Sequence, residues 1–409
     1  MKILYLCHRI PYPPDKGEKI RAFHQLRALA ARHEVDLFTL ADVPADMAHS
    51  STLREYCRHV TVVQLNARLA RLSALPFLLT NKPLTVPYFR SAELQAKVRN
   101  AIRERSYDRI FVYCSAMAQY VESVEDIPLI TDLVDVDSDK WRQYAEVTSF
   151  PFSAIYRREA RCLRAYERRI CEKSARVFVT TEREAALVRQ LSETSRVDVI
   201  PVGVDVDSLS TPEISPQTGK PAVVFTGVMS YFPNQEAVCF FARQVLPLIR
   251  RSIPDVTFLI VGRNPGRKVQ ELSGIEGVEV TGYVPDVRPF LARAQVSVAP
   301  FSIAAGIQTK ILEAMAAGLP VVATPKGCQG LAREVADMIE MGRTPEELAQ
   351  KVVGLLENPV RARSHGMESR RRVAVAYNWD RILREMVELV ENPGVAASGA
   401  DITRAAARN

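Results

Sequence analysis

The residues best placed to do chemistry lie in "GIQTKILEAMAAGLPVVAT", residues 306–324. Small and apolar residues dominate this stretch, as in a buried helix followed by a buried strand. Lys310 and Glu313 interrupt the pattern, three apart and so on one helical face. Gly306 and its neighbours read as a loop leading into the helix. The amides of Ile307, Gln308 and Thr309 at the helix start can hold a sugar or a phosphate. Glu313 can accept two hydrogen bonds at once, which suits the paired 2′ and 3′ hydroxyls of a ribose. Lys310 can neutralise a diphosphate or simply pair with Glu313, and an exposed pair of that kind would contribute little.

Other candidates sit at the ends of apolar runs. "HRIPYPPDKGEKIRAFHQLRAL" follows the first of them, and a helix starting at Gly17 leaves backbone amides open to a phosphate, with Lys16, Lys19 and Arg21 adding positive charge. "FTGVMSYFPN" offers Gly227 and Met229, with Pro233 in the first turn of the next helix. "IVGRNP" places Gly262 and Arg263 at another run's end, where an arginine can meet a phosphate. "VTGYVPD" supplies Gly282, Tyr283 and Val284 as a resting place for a base. "LITDLVDVDSDKWRQY" holds Asp132, Asp135, Asp137 and Asp139. Asp135 is the candidate base or positioner of an acceptor hydroxyl. Alternatively Asp137 or Ser138 caps a helix entering at Lys140, or the cluster binds magnesium. No GxGxxG follows the first run, and there is no GxxxxGK[ST], HExxH or GxSxG.

The elements that must position these residues alternate from end to end. Strands are expected at 2–7, 35–40, 60–65, 109–114, 128–133, 176–180 and 197–200, with helices at 17–32, 92–105, 153–173 and 182–191 between them. "PVGVDVDSLSTPEISPQTGKP", 201–221, has no helical period and reads as a linker. The pattern then restarts with strands at 222–227, 256–262, 278–282, 296–300 and 320–324, and helices at 234–251, 286–294 and 308–317. Helices at 344–357, 359–376 and about 380–391 follow, and the tail from Pro393 is expected to be disordered. Strand–helix alternation implies two doubly wound parallel α/β domains. Ligands in such sheets bind outside the carboxyl ends of the strands, and the cleft between two domains is the expected site.

Composition narrows the class. The chain of 409 residues is 47% hydrophobic and 25% charged, ordinary for a soluble globular protein. No apolar run approaches the ~20 residues that span a bilayer. The start does not read as a signal peptide, so the expected location is the cytoplasm. Seven scattered cysteines without a CxxC pair argue against a disulfide framework or zinc site. Net charge is +6 over residues 1–200 and +1 thereafter. A basic first half suits peripheral contact with an anionic membrane. No nucleic-acid recognition motif is visible.

"GxxxKxLEAMAAGLPVVAT" resembles the C-terminal signature of retaining glycosyltransferases of family 4, with the GT-B fold. "KGEKIRAFHQLRALA", "IPVGVD", "VVFTGVMSYFPNQEAV", "FLIVGRNP", "VTGYVPDVRPFLARAQVSVAPF" and "YNWDRI" follow in family order. Within the family, "FPN", "GIQTK" and "DLVDVDSDKW" most resemble sugar transferases encoded with bacterial exosortase-linked (PEP-CTERM) exopolysaccharide systems. The resemblance implies two Rossmann-like domains, with an acceptor-side domain at 1–203, a linker at 204–221 and a nucleotide-sugar domain at 222–376. It also implies a helix at 377–392 crossing back to the first domain, ahead of the tail at 393–409. It implies a nucleotide-diphosphate sugar as donor, a glycan or lipid-linked acceptor, and no metal or other cofactor. Glu313 matches the second acid of the family's E-x7-E motif, which contacts the ribose; the first acid falls at Ala305. Where many members carry an Arg and a Lys after the glycine at 227, this chain has Met229 and Asn234. Lys310, Arg263 or a basic residue near Gly17 would then grip the diphosphate. A GT-B 2-epimerase and a non-catalytic sugar-nucleotide-binding scaffold are the rival readings.

Overall fold

The computed structural model describes residues 1–14, 17–193, 196–209, 220–304 and 306–394. The chain divides into two compact units. One comprises Met1–Pro201 and the segment from Asp380, and the other Val202–Trp379.

The first unit carries β1 (Lys2–Cys7), β2 (Glu34–Ala41), β3 (His59–Gln64), β4 (Arg109–Tyr113), β5 (Leu129–Val134), β6 (Arg176–Val179) and β7 (Val197–Val199). They form one parallel sheet in the order β3-β2-β1-β4-β5-β6-β7. β1 and β4 are almost wholly buried, which explains why both read as continuous apolar runs rather than alternating ones. Arg21, on the helix Gly17–Ala30, ties sheet to chain. Its guanidinium lies 2.8 Å from Asp132, and Nη1 donates to the carbonyls of Ile200 and Pro201 at 2.6 and 3.1 Å. The helix Trp379–Glu391 is held within this unit where Arg109 donates to the carbonyls of Val390 and Glu391 at 3.2 and 3.1 Å.

The second unit carries β8 (Ala222–Thr226), β9 (Thr257–Val261), β10 (Val278–Gly282), β11 (Val296–Ala299), β12 (Val321–Ala323) and β13 (Glu340–Met341). The order is β10-β9-β8-β11-β12-β13, again all parallel. Winding reverses between β8 and β11, and such reversals open the crevice where α/β sheets bind ligands. The helix Thr309–Ala316 turns Ile311, Leu312, Ala314 and Met315 into the core. The residues following Pro201 already belong to this unit, since Val204 N donates to Tyr377 O at 2.9 Å. A Cβ on Gly203 would overlap the Trp379 ring at 2.4 Å, so the "PVGVD" and "YNWD" motifs pack together.

Two expectations need correction, and a third lies outside the described residues. The helix expected over 234–251 is two, Phe232–Phe240 and Leu246–Ser252, joined by a π-helical turn at Phe241–Val245. Pro247 lacks an N–H for the ordinary ladder, and the wider turn absorbs the break. The helix expected to enter at Lys140 begins at Asp137 and has no side-chain cap from its N-cap residue. Residues 210–219 of the expected linker, and the tail from 395, lie outside the described residues.

Candidate functional site

The loops after β8, β9 and β11 meet at the reversal point of the second sheet. Gly262 and Gly227 adopt φ of 153° and 155°. A Cβ on Gly262 would sit 1.7 Å from the Gly227 carbonyl oxygen, so only glycine lets the two loops touch. A Cβ on Gly227 would in turn meet Asn234 Nδ2 at 2.8 Å and Lys310 Cε at 3.3 Å. The Lys310 stem thus lies against the β8 loop.

Lys310 rises from the first turn of its helix onto an aromatic pad. Its ammonium stands 4.8 Å from the Phe301 ring centroid and 5.8 Å from that of Phe225. Its one hydrogen bond to a described side chain is to Gln308 Oε1, at 3.3 Å. Burial pushes the ammonium pKa down to about 8, while Glu313 opposes the shift. Glu313 is partly buried one turn on. Burial raises its pKa and Lys310 lowers it, yet its carboxylate makes no hydrogen bond or ion pair with a described residue. The two charges therefore feel each other without closing into a salt bridge. Gln308, the helix N-cap, makes no side-chain capping bond, so its side chain does not occupy the first-turn amides. Charges left open in this way are costly unless something binds them.

The remaining candidates divide. Gly306 has φ of 63° and opens the loop. Ile307 packs against the core, Gln308 is buried, and Thr309 begins the helix. Arg263 lies partly exposed at the end of β9, and its carbonyl accepts from Met229 N at 2.8 Å. Tyr283 is 71% exposed beyond β10, while Val284 packs against the core. Met229 is a correction. Its side chain is wholly buried in the hydrophobic core, so it offers no contact surface beyond its backbone. Ala305 lies outside the described residues.

Gly17 and Asp135 belong to the other unit. A Cβ on Gly17 would meet nothing, so no protein neighbour demands glycine there. Lys19 and Arg21 are corrections as phosphate ligands. Both are buried and ion-paired internally, Lys19 with Asp46 at 2.7 Å and Arg21 with Asp132. Lys16 lies outside the described residues.

The four aspartates do not converge. Asp132 takes Arg21 and Gln25, Asp135 takes Thr180 Oγ1 at 2.9 Å, Asp137 takes Lys140, and Asp139 takes Arg142, Gln143 and Arg183. Asp135 stands out because the residue before it is strained. Val134 has φ of 67°, a region that β-branched residues avoid. Two buried glutamates grip the amides that follow. Glu184 accepts from Val136 N at 2.7 Å, and Glu167 from Ser138 N and Oγ at 3.1 and 2.5 Å. Burial pushes their pKa values up to about 7 and about 8 respectively. Burial also raises the pKa of Asp135 itself, against the Thr180 hydrogen bond.

Two features escaped the sequence. Phe225 and Phe301 form the pad under Lys310, but each sits in an apolar run with nothing to separate pad from core. His8, at the end of β1, is buried and stacks on Tyr113 at 5.9 Å. Its only sequence signal is its place in the loop after the first strand.

The pH dependence at Lys310 has a definite sign. An anionic diphosphate favours the ammonium, so donor affinity should fall as pH rises through about 8. A charge-assisted contact of roughly 1.5–3 kcal/mol makes this about tenfold between about pH 7 and 9. Titration of donor into wild type and Lys310→Arg checks it, with the arginine flattening the profile.

Two family models match the chain. One, for a glycosyl transferase 4-like domain, covers residues 17–203, and the other, for glycosyl transferases group 1, covers residues 220–358. No curated protein matches the sequence. Among solved structures, sucrose-phosphate synthase from Thermosynechococcus elongatus is 22% identical with a TM-score of 0.71, over 96% of this chain and 98% of that one. Anabaena HepE in complex with UDP and glucose is 18% identical with a TM-score of 0.65, over 96% and 100%. WaaG, a glycosyltransferase involved in lipopolysaccharide biosynthesis, is 17% identical with a TM-score of 0.65, over 95% and 99%. Both sheets are parallel and covered by helices, and the two matched spans together take in most of the chain. The chain has the GT-B fold, with residues 17–203 similar to glycosyl transferase 4-like domains and residues 220–358 similar to glycosyl transferases group 1.

Proposed function

We propose that this protein is a retaining glycosyltransferase. It moves a sugar from a nucleotide-diphosphate-sugar donor to a glycan or lipid-linked acceptor in bacterial exopolysaccharide synthesis, in the manner of the exosortase-linked sugar transferases. It works in the cytoplasm, on the inner membrane face. The observation that carries the reading is the pair of charges, Lys310 and Glu313, left without an ion pair to each other at the reversal point of a doubly wound sheet. Solved HepE complexes hold UDP, UDP with glucose, or UDP-glucose, which supports a nucleotide sugar as the ligand class.

In this reading Glu313 clasps the ribose hydroxyls, and Tyr283 with Val284 flanks the base. Gly227 and Gly262 let the diphosphate approach the backbone. Lys310, with Arg263 and the amides at Gln308 and Thr309, stabilises the negative charge of the departing diphosphate. The acceptor hydroxyl attacks from the leaving-group side and gives its proton to a donor phosphate oxygen. The protein then needs no strong base of its own, and Asp135 orients the acceptor hydroxyl. Asp135→Asn keeps an oxygen for Thr180, so the fold should persist. It should lower kcat by about 10²-fold and leave donor Kd unchanged, as steady-state rates and donor titration will tell.

The whole reading is tested by incubating purified protein with labelled UDP-, GDP-, ADP- and TDP-sugars, with and without membrane extract. Transfer of label to the extract, with the donor's anomeric configuration kept in the product, is expected. An inverted product contradicts retention. A new epimer without acceptor favours the 2-epimerase, and donor binding without turnover favours the scaffold.

A further inference from the structure

The helix Ala67–Ala74 is inside out. Its buried residues are two alanines, Ala70 and Ala74, whereas Leu69 and Leu72 are 63% and 61% exposed. The stripe continues through the 3₁₀ turn Leu75–Leu79, where Leu75 is exposed and Leu79 is 95% exposed. Spacings of three make Leu69, Leu72 and Leu75 successive neighbours, and Leu79 ends the turn that follows. Core packing does not require them there, since the alanines supply the contact with the unit.

A second exposed apolar segment begins the helix that holds the leucine turn. Phe150 and Phe152, at the start of the helix Phe152–Lys173, are 83% and 57% exposed. Further along that helix, the Arg158 guanidinium donates to the carbonyls of Phe77, Thr80 and Lys82. Glu159 accepts from the amides of Leu84 and Thr85 at 2.6 and 2.9 Å. The leucine turn and the phenylalanines therefore ride on one scaffold within the first unit.

The charge along the leucine segment has one sign, whereas exposed Glu146 precedes Phe150. No Asp or Glu occurs from Asn66 to Arg90, while Arg68, Arg71 and Lys82 are exposed; Arg157 is exposed on the neighbouring helix. A patch of large exposed apolar side chains marks an interaction surface. Leucines flanked by arginines, without acids, match a surface that is apolar inside and anionic outside. The absence of acids along the segment suits negatively charged headgroups.

We propose that this face, the leucine stripe of 69–79 with Phe150 and Phe152, docks the protein on an anionic phospholipid surface. Leucines and phenylalanines enter the acyl boundary and the arginines pair with headgroup phosphates. The proposal deepens the proposed function by naming the surface on which a lipid-linked acceptor is met. Its test does not depend on turnover.

Full-length protein is floated with vesicles of phosphatidylcholine alone and with phosphatidylglycerol added. Binding to the anionic vesicles should exceed binding to neutral ones by about tenfold or more and should weaken at high salt. The double variant Leu72→Glu/Leu79→Glu should lose about tenfold or more of that binding. Because both side chains are exposed, its thermal midpoint and donor affinity should match wild type, which separates this test from the donor reading. Equal flotation of wild type and variant would overturn the proposal, as would no flotation. A leucine-dependent dimer in sedimentation, with no vesicle binding, would assign the face to a second copy instead.

Discussion

Glu313→Gln should weaken donor binding by about 10²–10³-fold while leaving the protein at least as stable as wild type. The two halves of that result have one cause. Glu313 is partly buried without a hydrogen bond or ion pair from a described residue, and burial raises its pKa. A carboxyl whose pKa is higher folded than unfolded is more easily protonated in the folded chain. Its ionised form therefore costs stability at neutral pH, and the cost shrinks as pH falls through the folded pKa toward the unfolded one. Glutamine removes the charge and keeps the shape, so folding should not suffer. A ribose offers the carboxylate two hydroxyl donors, and hydrogen bonds to a charged group contribute roughly 1.5–3 kcal/mol each. Losing charge assistance in both gives the expected drop in affinity. Calorimetric titration and a thermal melt of the same preparation read both quantities. A lower melting point with unchanged donor affinity would make Glu313 a structural residue.

Gly262→Ala should have the opposite signature, losing fold and site together. The new Cβ would lie 1.7 Å from the Gly227 carbonyl oxygen, well inside any allowed contact, and φ there is 153°. Overpacking costs about 1–3 kcal/mol and backbone strain of this kind a further ~1–3 kcal/mol. The thermal midpoint should fall by roughly 10 °C. Relief can come only by parting the loops after β8 and β9, which moves Gly227 away from the Lys310 stem. Donor affinity should therefore fall even where the protein is still folded. Gly17→Ala, whose Cβ would meet nothing, is the control and should melt like wild type. A Gly262→Ala protein that melts and binds as wild type does would contradict the loop contact.

Much of this was legible in the residues. Buried parallel strands announce themselves as β-branched runs, and each of the twelve expected runs corresponds to a strand of the two sheets. β13, only Glu340–Met341, is too short to carry a period. Lys310 and Glu313 were conspicuous because they are charged within an apolar helix. Met229 misled because its place in a loop motif says nothing about which way its side chain turns, and it turns into the core. Lys19 and Arg21 misled for a similar reason. Their charge was visible, but their partners Asp46 and Asp132 are distant in sequence. The exposed leucines of 69–79 look like any amphipathic helix until the alanines, not the leucines, prove to face the unit. The strain at Val134 has no sequence signature, since valine is the last residue expected at positive φ.

The central claim is that Glu313 and Lys310 hold a nucleotide-diphosphate sugar, and one measurement reaches it most directly. UDP-, GDP-, ADP- and TDP-sugars are titrated into wild type, Glu313→Gln and Lys310→Ala while thermal stability is followed. At least one donor should raise the wild-type midpoint, and that shift should vanish in both variants although each is folded. No shift with any donor, or a shift that survives both substitutions, would contradict the account.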